Sequence, residues 1–355
     1  MASTEIAGPG PGTEHEVADL WSAIEYCHEQ GWTDGLPVVP PAEELVAAFT
    51  EEAGWQPDDV LAVEPVRGRE ITAEKVVACA VMAGCLPSYL PVVGAALRAM
   101  STPQYQLHGT VTSTGGAAPL IVVNGPVRDR IGLNYQGNLF GPGCRPNAAI
   151  GRAVRLVLLN CLEAVPSVLD RSTQGNFGKY SGCFAEYEEA SPWEPFSVAR
   201  GFEPGTSTVT VFAGESGHNL LSHGSRRPEQ LLLLIADAMS ALGSLSAGES
   251  LVVLAPEHAE ILREQRWSRA KVQEFLYDHA RRDLATVKRA GKLEGQYDIG
   301  PEDEHTWLHR GEGPQDIHLL VGGSEAGGHS AFFPSWSRVR GSLAVTVAVE
   351  EGEGA

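Results

Sequence analysis

The sequence lacks long apolar runs and has few basic residues for its length. No stretch approaches the roughly 20 apolar residues that a membrane-spanning helix needs, so no transmembrane segment is predicted. The 26 Lys and Arg residues are outnumbered by 45 Asp and Glu residues, giving a formal net charge of -19. Nucleic-acid binding draws much of its affinity from clustered basic side chains, so this class of partner is excluded.

Several functional signatures are also missing. There is no GxGxxG after a first strand, no GxxxxGK[ST] and no GxSxG, so a nicotinamide Rossmann site, a P-loop and a nucleophile elbow have no support. None of the six cysteines forms a CxxC pair, which excludes a zinc ribbon. The cofactor is therefore left unknown. The first residues, "MASTEIAGPGPGTEHE", are neither basic nor apolar, so we expect no signal peptide and a cytoplasmic protein.

What is present is an alternation of helical and strand-like segments, which predicts an α/β fold, with a mixed α+β arrangement also compatible. We expect a disordered N-terminus over 1–15, an N-terminal lobe over 16–204 and a C-terminal lobe over 205–355. The segments "LIVVNGPVRDRIG" and "LVVLAPEHAEIL" are each preceded and followed by a helix. This shared order suggests a diverged internal duplication with a cleft between the lobes, although a chance recurrence explains it equally well.

Two local predictions accompany this fold. The β-branched residues of "QLHGTVTSTGG" favour a strand, and "SRAKVQEFLYDHARRDLATVKRAG" reads as one long helix.

Candidate catalytic residues lie in glycine-rich loops. Cys85 follows a glycine and precedes a helix start, where the helix dipole would favour a thiolate. A second cluster places Lys179, Cys183 and Glu186 within a few residues, suited to acid, base or anchoring roles. His108 and His329 stand beside glycines and are candidate bases. For each cysteine, a buried structural role is the alternative.

The stretch "FGPGCRPNAAIGRAVRL" predicts an anion-holding helix start. Gly143 would let a ligand approach, while Arg145 and Asn147 would supply donors at the helix N-terminus. Arg152 and Arg155 extend its basic face, and a simple N-cap with surface ion pairs is the alternative. We add Asn124, which ends a predicted strand, as a further substrate-binding candidate.

Histidines offer a metal-binding alternative. His218, His223 and His329 with Glu215 could surround one ion, although the five-residue separation of the first two fits no standard zinc signature.

Taken together, the segments "GWTDGLPVVPP", "VMAGCLPSYLPVV", "LHGT", "PLIVVNGPVR", "FGPGCRPNAAIGRAVRL", "GKYSGCFAEYEEASPWEP" and "GGHSAFFPSW" resemble a bacterial family that accompanies the UGSC-motif (seleno)proteins. The resemblance covers nearly the whole chain after residue 16. It implies thiol or sulfur chemistry on small molecules and a UGSC-type redox partner, and it identifies no catalytic residue.

The sequence thus predicts an enzyme of thiol or sulfur chemistry, an oxidoreductase or lyase, acting on a small anionic substrate. The alternatives are a metal-dependent hydratase, hydrolase or lyase, and a non-catalytic subunit of a redox complex. Self-association as a homo-oligomer is a further expectation.

Overall fold

Two four-stranded sheets organise the chain, which a computed structural model describes over residues 4–7 and 14–350. The strands of the described part are β1 (Thr4–Ala7), β2 (Glu14–Val17), β3 (Val60–Glu64), β4 (Arg69–Thr72), β5 (Ala118–Asn124), β6 (Cys183–Ala185), β7 (Thr208–Gly214), β8 (His218–Leu221), β9 (Ser250–Leu254), β10 (Arg281–Asp283), β11 (Trp307–His309), β12 (Ile317–Val321), β13 (His329–Phe333) and β14 (Val345–Ala348).

The helices are α1 (Leu20–Glu29), α2 (Glu43–Glu52), α3 (Ala73–Met82), α4 (Leu90–Ser101), α5 (Leu107–Thr112), α6 (Val127–Arg130), α7 (Arg145–Cys161), α8 (Phe196–Ala199), α9 (Pro228–Met239), α10 (Pro256–Glu264), α11 (Arg269–His279) and α12 (Leu284–Arg289). Helices and mixed sheets thus alternate along the chain, which confirms the mixed α/β class.

The two sheets lie in the middle of four layers. Along β5, Ile121 and Val123 pack toward a core shared with α3, α4 and α7, whereas Leu120 and Val122 pack toward the other sheet. Along β9, Val252 and Leu254 pack toward α9 and α11, and Val253 packs toward the first sheet. This alternation is the period of two expected for strands buried on both faces.

The two sheets share one pattern of parallel and antiparallel neighbours. Sheet I has the order β14-β7-β5-β6 and sheet II the order β8-β13-β9-β12. In both, the last two strands run parallel and all other neighbours run antiparallel. The segments β5–α6–α7–β6 and β9–α10–α11–β12 are the two stretches in which the sequence suggested a duplication.

The predicted boundary at residue 205 does not separate the sheets. Both β7 and β14 belong to sheet I, so the chain crosses to sheet II after β7 and returns after β13. An apolar core, including Phe184, Phe212 and Phe333, fills the space between the sheets where a cleft was expected. Within the segment expected to be disordered, β1 pairs with β2; residues 1–3 and 8–13 lie outside the described residues.

Two local predictions are wrong. "QLHGTVTSTGG" contains α5, in which the Thr110 and Thr112 hydroxyls donate to the carbonyls of Leu107 and His108, both at 2.8 Å. The predicted long helix breaks after α11, where β10 pairs with β11 and Asp283 caps α12 by accepting from the Thr286 N–H at 2.7 Å. The partner strand is distant in sequence, which is why local periodicity missed the break.

Among the described residues, no single helix is long and apolar enough to cross a membrane; α3 together with residues Pro87–Ser101 passes only as a pair bent by 118°.

Candidate functional site

The predicted nucleophilic cysteines are buried. Cys85 is 3 % and Cys183 6 % exposed. Burial raises the pKa of the Cys85 thiol to about 12, which nearby Arg145 only partly offsets, and burial raises the pKa of Cys183 further. Desolvation therefore opposes the thiolate that the sequence predicts at Cys85.

Side chains at the N-terminus of α7 form hydrogen bonds with other segments of the protein. Cys144, rather than Asn147, is the N-cap residue. Asn147 accepts from the Asn134 N–H at 2.8 Å and donates to the Asn134 carbonyl at 2.9 Å, while Arg145 Nε donates to the Gly84 carbonyl at 3.0 Å. Gly143 has a φ of 121°, so its contribution is backbone shape. These contacts organise loops and engage the Asn147 side chain and one Arg145 donor, so the anion receptor stays a prediction.

Asn124 and Glu186 meet each other in the interior. Glu186 Oε2 accepts from Asn124 Nδ2 at 2.5 Å and from the Phe196 N–H at 2.7 Å. Burial raises the pKa of this carboxyl to about 7 against those hydrogen bonds. Arg128 donates to the Glu186 carbonyl at 2.6 Å and pairs with Glu189. The group is enclosed, so it braces the end of β5 and β6.

His218, His223 and His329 lie near one another beside β8 and β13, whereas His108 lies apart from them. His108 Nδ1 lies 3.5 Å from the Glu64 carboxylate, next to β3. His329 Nδ1 contacts the Asn219 amide at 3.0 Å beside a cavity of about 460 Å³ that is also lined by His218. The rings of His223 and His329 are 5.6 Å apart.

Glu215 does not complete a metal site with these histidines. Burial raises the pKa of its carboxyl, and its charged neighbours are Arg310 and Lys292. Within residues 4–7 and 14–350, no three His, Cys, Asp or Glu side chains are placed to hold a metal ion.

A larger cavity, of about 830 Å³, opens beside α7 and the loop between α7 and β6. We call it the charged cavity. Its wall combines Arg155 of α7, Asp170 and Lys179 of the loop, and Asp34 of the segment between α1 and α2. Residues from three distant segments of the chain therefore contribute to one site.

Asp170 is the centre of this wall. The carboxylate is 4 % exposed and accepts from Lys179 Nζ at 2.6 Å and from Ser172 Oγ at 2.6 Å. Arg155 Nη2 lies 3.5 Å away. Burial opposes the ionised carboxylate, but the hydrogen bonds from Lys179 and Ser172 outweigh it and keep the pKa of Asp170 below its usual value.

The pKa of Lys179 is lower than that of an exposed lysine. Its Nζ also lies 2.6 Å from Ser172 Oγ. Burial lowers the pKa of this ammonium; Asp170 counteracts the effect, and the positive charge of Arg155 adds to it. A lysine held in this way is closer to the range in which it can exchange protons near neutrality.

Asp34, which lines the charged cavity, is paired with Arg152. Arg152 binds the Asp34 carboxylate through two hydrogen bonds, at 2.9 and 2.8 Å, and donates to the Pro37 carbonyl at 2.9 Å. The bidentate pair fastens "GWTDGLPVVPP" onto α7 and neutralises the second carboxylate of the wall.

The loop that carries Lys179 is shaped by its own polar residues. Asn176 accepts from the Gly178 N–H at 2.8 Å and donates to the Gly214 carbonyl at 3.2 Å. The short 3-10 turn that follows, Phe177–Lys179, ends at the lysine. Phe177, at the start of this turn, is 88 % exposed.

Sequence reasoning found Lys179 but missed its partners. Asp170 and Ser172 were not singled out, and Arg155 was noted only as part of a basic face. A signal was available in "DRSTQGNFGKY", where an acid, a hydroxyl and a lysine surround glycines, but their convergence depends on the fold of the loop.

Comparisons with family models, curated proteins and solved structures give no match. The function is therefore inferred from the geometry of the site.

Proposed function

We propose that the protein is an enzyme that acts on a small anionic molecule in the charged cavity. The observation that carries the proposal is an imbalance of enclosed charge. Arg155 and Lys179 face one carboxylate, Asp170, while the remaining wall carboxylate, Asp34, is already paired with Arg152. An uncompensated buried charge is costly, so a ligand anion would complete the set.

Lys179 is the group that we assign to proton transfer. It faces the cavity, its pKa is lowered by burial, and Asp170 fixes its position. General acid–base catalysis requires both a placed proton carrier and a pKa shifted toward the working pH. This assignment replaces Cys85 and Cys183 as the centre of the chemistry.

Thiol chemistry, a metal-dependent reaction and a non-catalytic role in a redox complex gain no comparable support. Cys85 and Cys183 are enclosed, and in the described part of the chain the histidines do not form a metal-ligand set with other side chains. A UGSC-type partner, self-association and a cytoplasmic location remain part of the hypothesis.

Anion binding tests the proposal directly. Succinate and inorganic phosphate are titrated into the protein by calorimetry at low ionic strength, in wild type, Lys179→Met and Arg155→Met. We expect saturable binding in wild type and a loss of at least tenfold in affinity in each variant, about 1.4 kcal/mol.

The matched control is Lys288→Met. Lys288 forms a similarly enclosed pair with Asp303, 2.8 Å away and outside the cavity. Its loss should leave anion binding unchanged. Absence of binding in wild type, or an equal loss in the control, contradicts the proposal.

A further inference from the structure

We infer that Ser172 is the nucleophile of a hydrolytic acyl transfer and that the substrate is an ester bearing a second, anionic group. The inference rests on the proposed function and adds a reaction class to it. It identifies Lys179 as the base that activates the serine and Asp170 as the residue that positions both.

The three side chains have the geometry of a nucleophile, a base and an orienting group. The Lys179 ammonium donates to Ser172 Oγ at 2.6 Å and to one carboxylate oxygen of Asp170 at 2.6 Å. The Ser172 hydroxyl donates to the other Asp170 oxygen at 2.6 Å, so it must turn toward Nζ once the lysine is neutral. The Ser172 N–H also donates to Asp170, at 3.1 Å. Serine–lysine pairs with this relation of roles are a known variant of nucleophilic catalysis.

Lys179 is a better proton acceptor than Asp170. Burial and Arg155 lower the pKa of the ammonium against the opposing effect of Asp170. The neutral amine that acts as base forms as the pH rises, and Arg155 then holds the substrate anion without the help of the lysine charge. The hydrogen bonds to Asp170 lower its carboxyl pKa, which makes that carboxylate a weaker base. Asp170 instead stabilises the ammonium that forms when the lysine takes the serine proton.

The reaction balances with water as the only co-reactant. Ser172 Oγ forms a bond to the ester carbonyl carbon as its proton passes to neutral Lys179 Nζ. The bond from that carbon to the leaving oxygen then breaks, and the alcohol leaves with the proton from Nζ. Water next attacks the acyl group, gives a proton to Nζ, and Ser172 departs and recovers that proton.

The charge of the wall selects the substrate. Arg155 lines the cavity with a side chain that is 11 % exposed, and its Nη2 makes two long contacts, with the Ala164 carbonyl at 3.4 Å and with Asp170 at 3.5 Å. Its other guanidinium donors are therefore available for a second anion. A half-ester of a dicarboxylic acid supplies one carbonyl for Ser172 and one carboxylate for Arg155. A neutral ester of the same length lacks the second interaction.

The experiment uses 4-nitrophenyl hydrogen succinate as the probe. We expect a burst of nitrophenolate and a succinyl ester on Ser172, located by peptide mass spectrometry and removed by hydroxylamine. Ser172→Ala should abolish the ester, and Ser172→Cys should form a thioester at the same position.

Lys179→Arg tests the base, because arginine retains the positive charge but does not deprotonate in proteins. Its burst rate should fall at least a hundredfold. In wild type the rate should rise with pH as Lys179 loses its proton, and Lys179→Arg should lack this rise. Lys288→Arg, folded and analysed in parallel, should behave as wild type.

Three results overturn the inference: no adduct in wild type, a hydroxylamine-stable amide on Lys179, or a burst unchanged in Ser172→Ala. Succinate binding distinguishes a failure of the assigned nucleophile from a failure of the proposed anion site. If succinate binds and no ester forms, Ser172 is not the nucleophile while the anion site stands. If neither occurs, the proposed function is wrong as well.

Discussion

Lys179 with Asp170 and Lys288 with Asp303 are the same ion pair in similar enclosure, yet their surroundings differ. The lysine side chains are 14 % and 15 % exposed, and the contacts measure 2.6 and 2.8 Å. Asp303 also accepts from the Gly300 N–H at 2.8 Å, and Lys288 donates to the Asp298 carbonyl at 3.0 Å, which closes a local turn.

The Lys179–Asp170 pair has different neighbouring side chains. Arg155 adds a second cation, Ser172 adds a hydroxyl, and both face the charged cavity. A buried lysine–aspartate contact is therefore not a functional signal by itself. The signal is the excess charge and the reactive hydroxyl gathered beside an open space.

The largest expected effect is that of removing the central carboxylate. Asp170→Asn leaves Lys179 and Arg155 enclosed without a counter-charge, and we expect a loss of about 3 kcal/mol in the free energy of unfolding. Urea unfolding at pH 7 measures it. Asp303→Asn is the matched change and should cost less, because it leaves one enclosed cation without its carboxylate rather than two. Equal losses would contradict the difference drawn between the two pairs.

Removing the lysine should cost less than removing the carboxylate. In Lys179→Met, Arg155 remains 3.5 Å from Asp170 and partly compensates it, so we expect a loss of about 2 kcal/mol. Lys179→Arg retains a positive charge beside Asp170 and should recover most of the loss. Urea unfolding compares the two variants, and failure of Lys179→Arg to recover stability would show that side-chain shape, rather than charge, dominates.

A third buried carboxylate extends the comparison to the pH dependence of folding stability. Glu186 is fully enclosed, and burial raises its pKa to about 7, opposite to the direction at Asp170. Between the unfolded pKa of about 4.3 and the folded value, the folded state holds more protons, so stability falls as the pH rises through this window.

Glu186→Gln removes that dependence. We expect a gain of about 1 kcal/mol at pH 8, since part of the relief is offset by an amide nitrogen without a partner, and no gain at pH 5. Thermal or urea unfolding at the two pH values measures the difference. A variant that is destabilised equally at both would show that Glu186 is held ionised by its neighbours.

The sequence allowed the mixed α/β class and the repeated order around β5 and β9 to be predicted, because apolar periodicity and proline-containing turns are local. It did not reveal that β7 and β14, from the predicted C-terminal lobe, belong to sheet I beside β5, since strand pairing is non-local. Helix α5 was missed because its threonines satisfy their hydroxyls within the helix, against their usual preference for strands.

The site was only partly predictable for the same reason. Lys179 was recognised from its neighbours in sequence, whereas Arg155 is 24 positions away and meets it only through the fold of the loop. Cys85 and Cys183 looked reactive because sequence context does not report burial. Phe177 shows the converse, since an aromatic residue read from sequence alone would be assigned to a core.

The smallest effect on stability is expected at Phe177. The ring is 88 % exposed, so Phe177→Ala should change the free energy of unfolding by less than about 0.5 kcal/mol. It lines the charged cavity beside Lys179, and its loss should weaken succinate binding several-fold in calorimetry. Tyr297→Ala, at another exposed aromatic, should change neither quantity. If Phe177→Ala instead lowers stability by more than about 1 kcal/mol, the ring is covered in solution, and sedimentation at several concentrations would then show whether a second copy of the chain covers it.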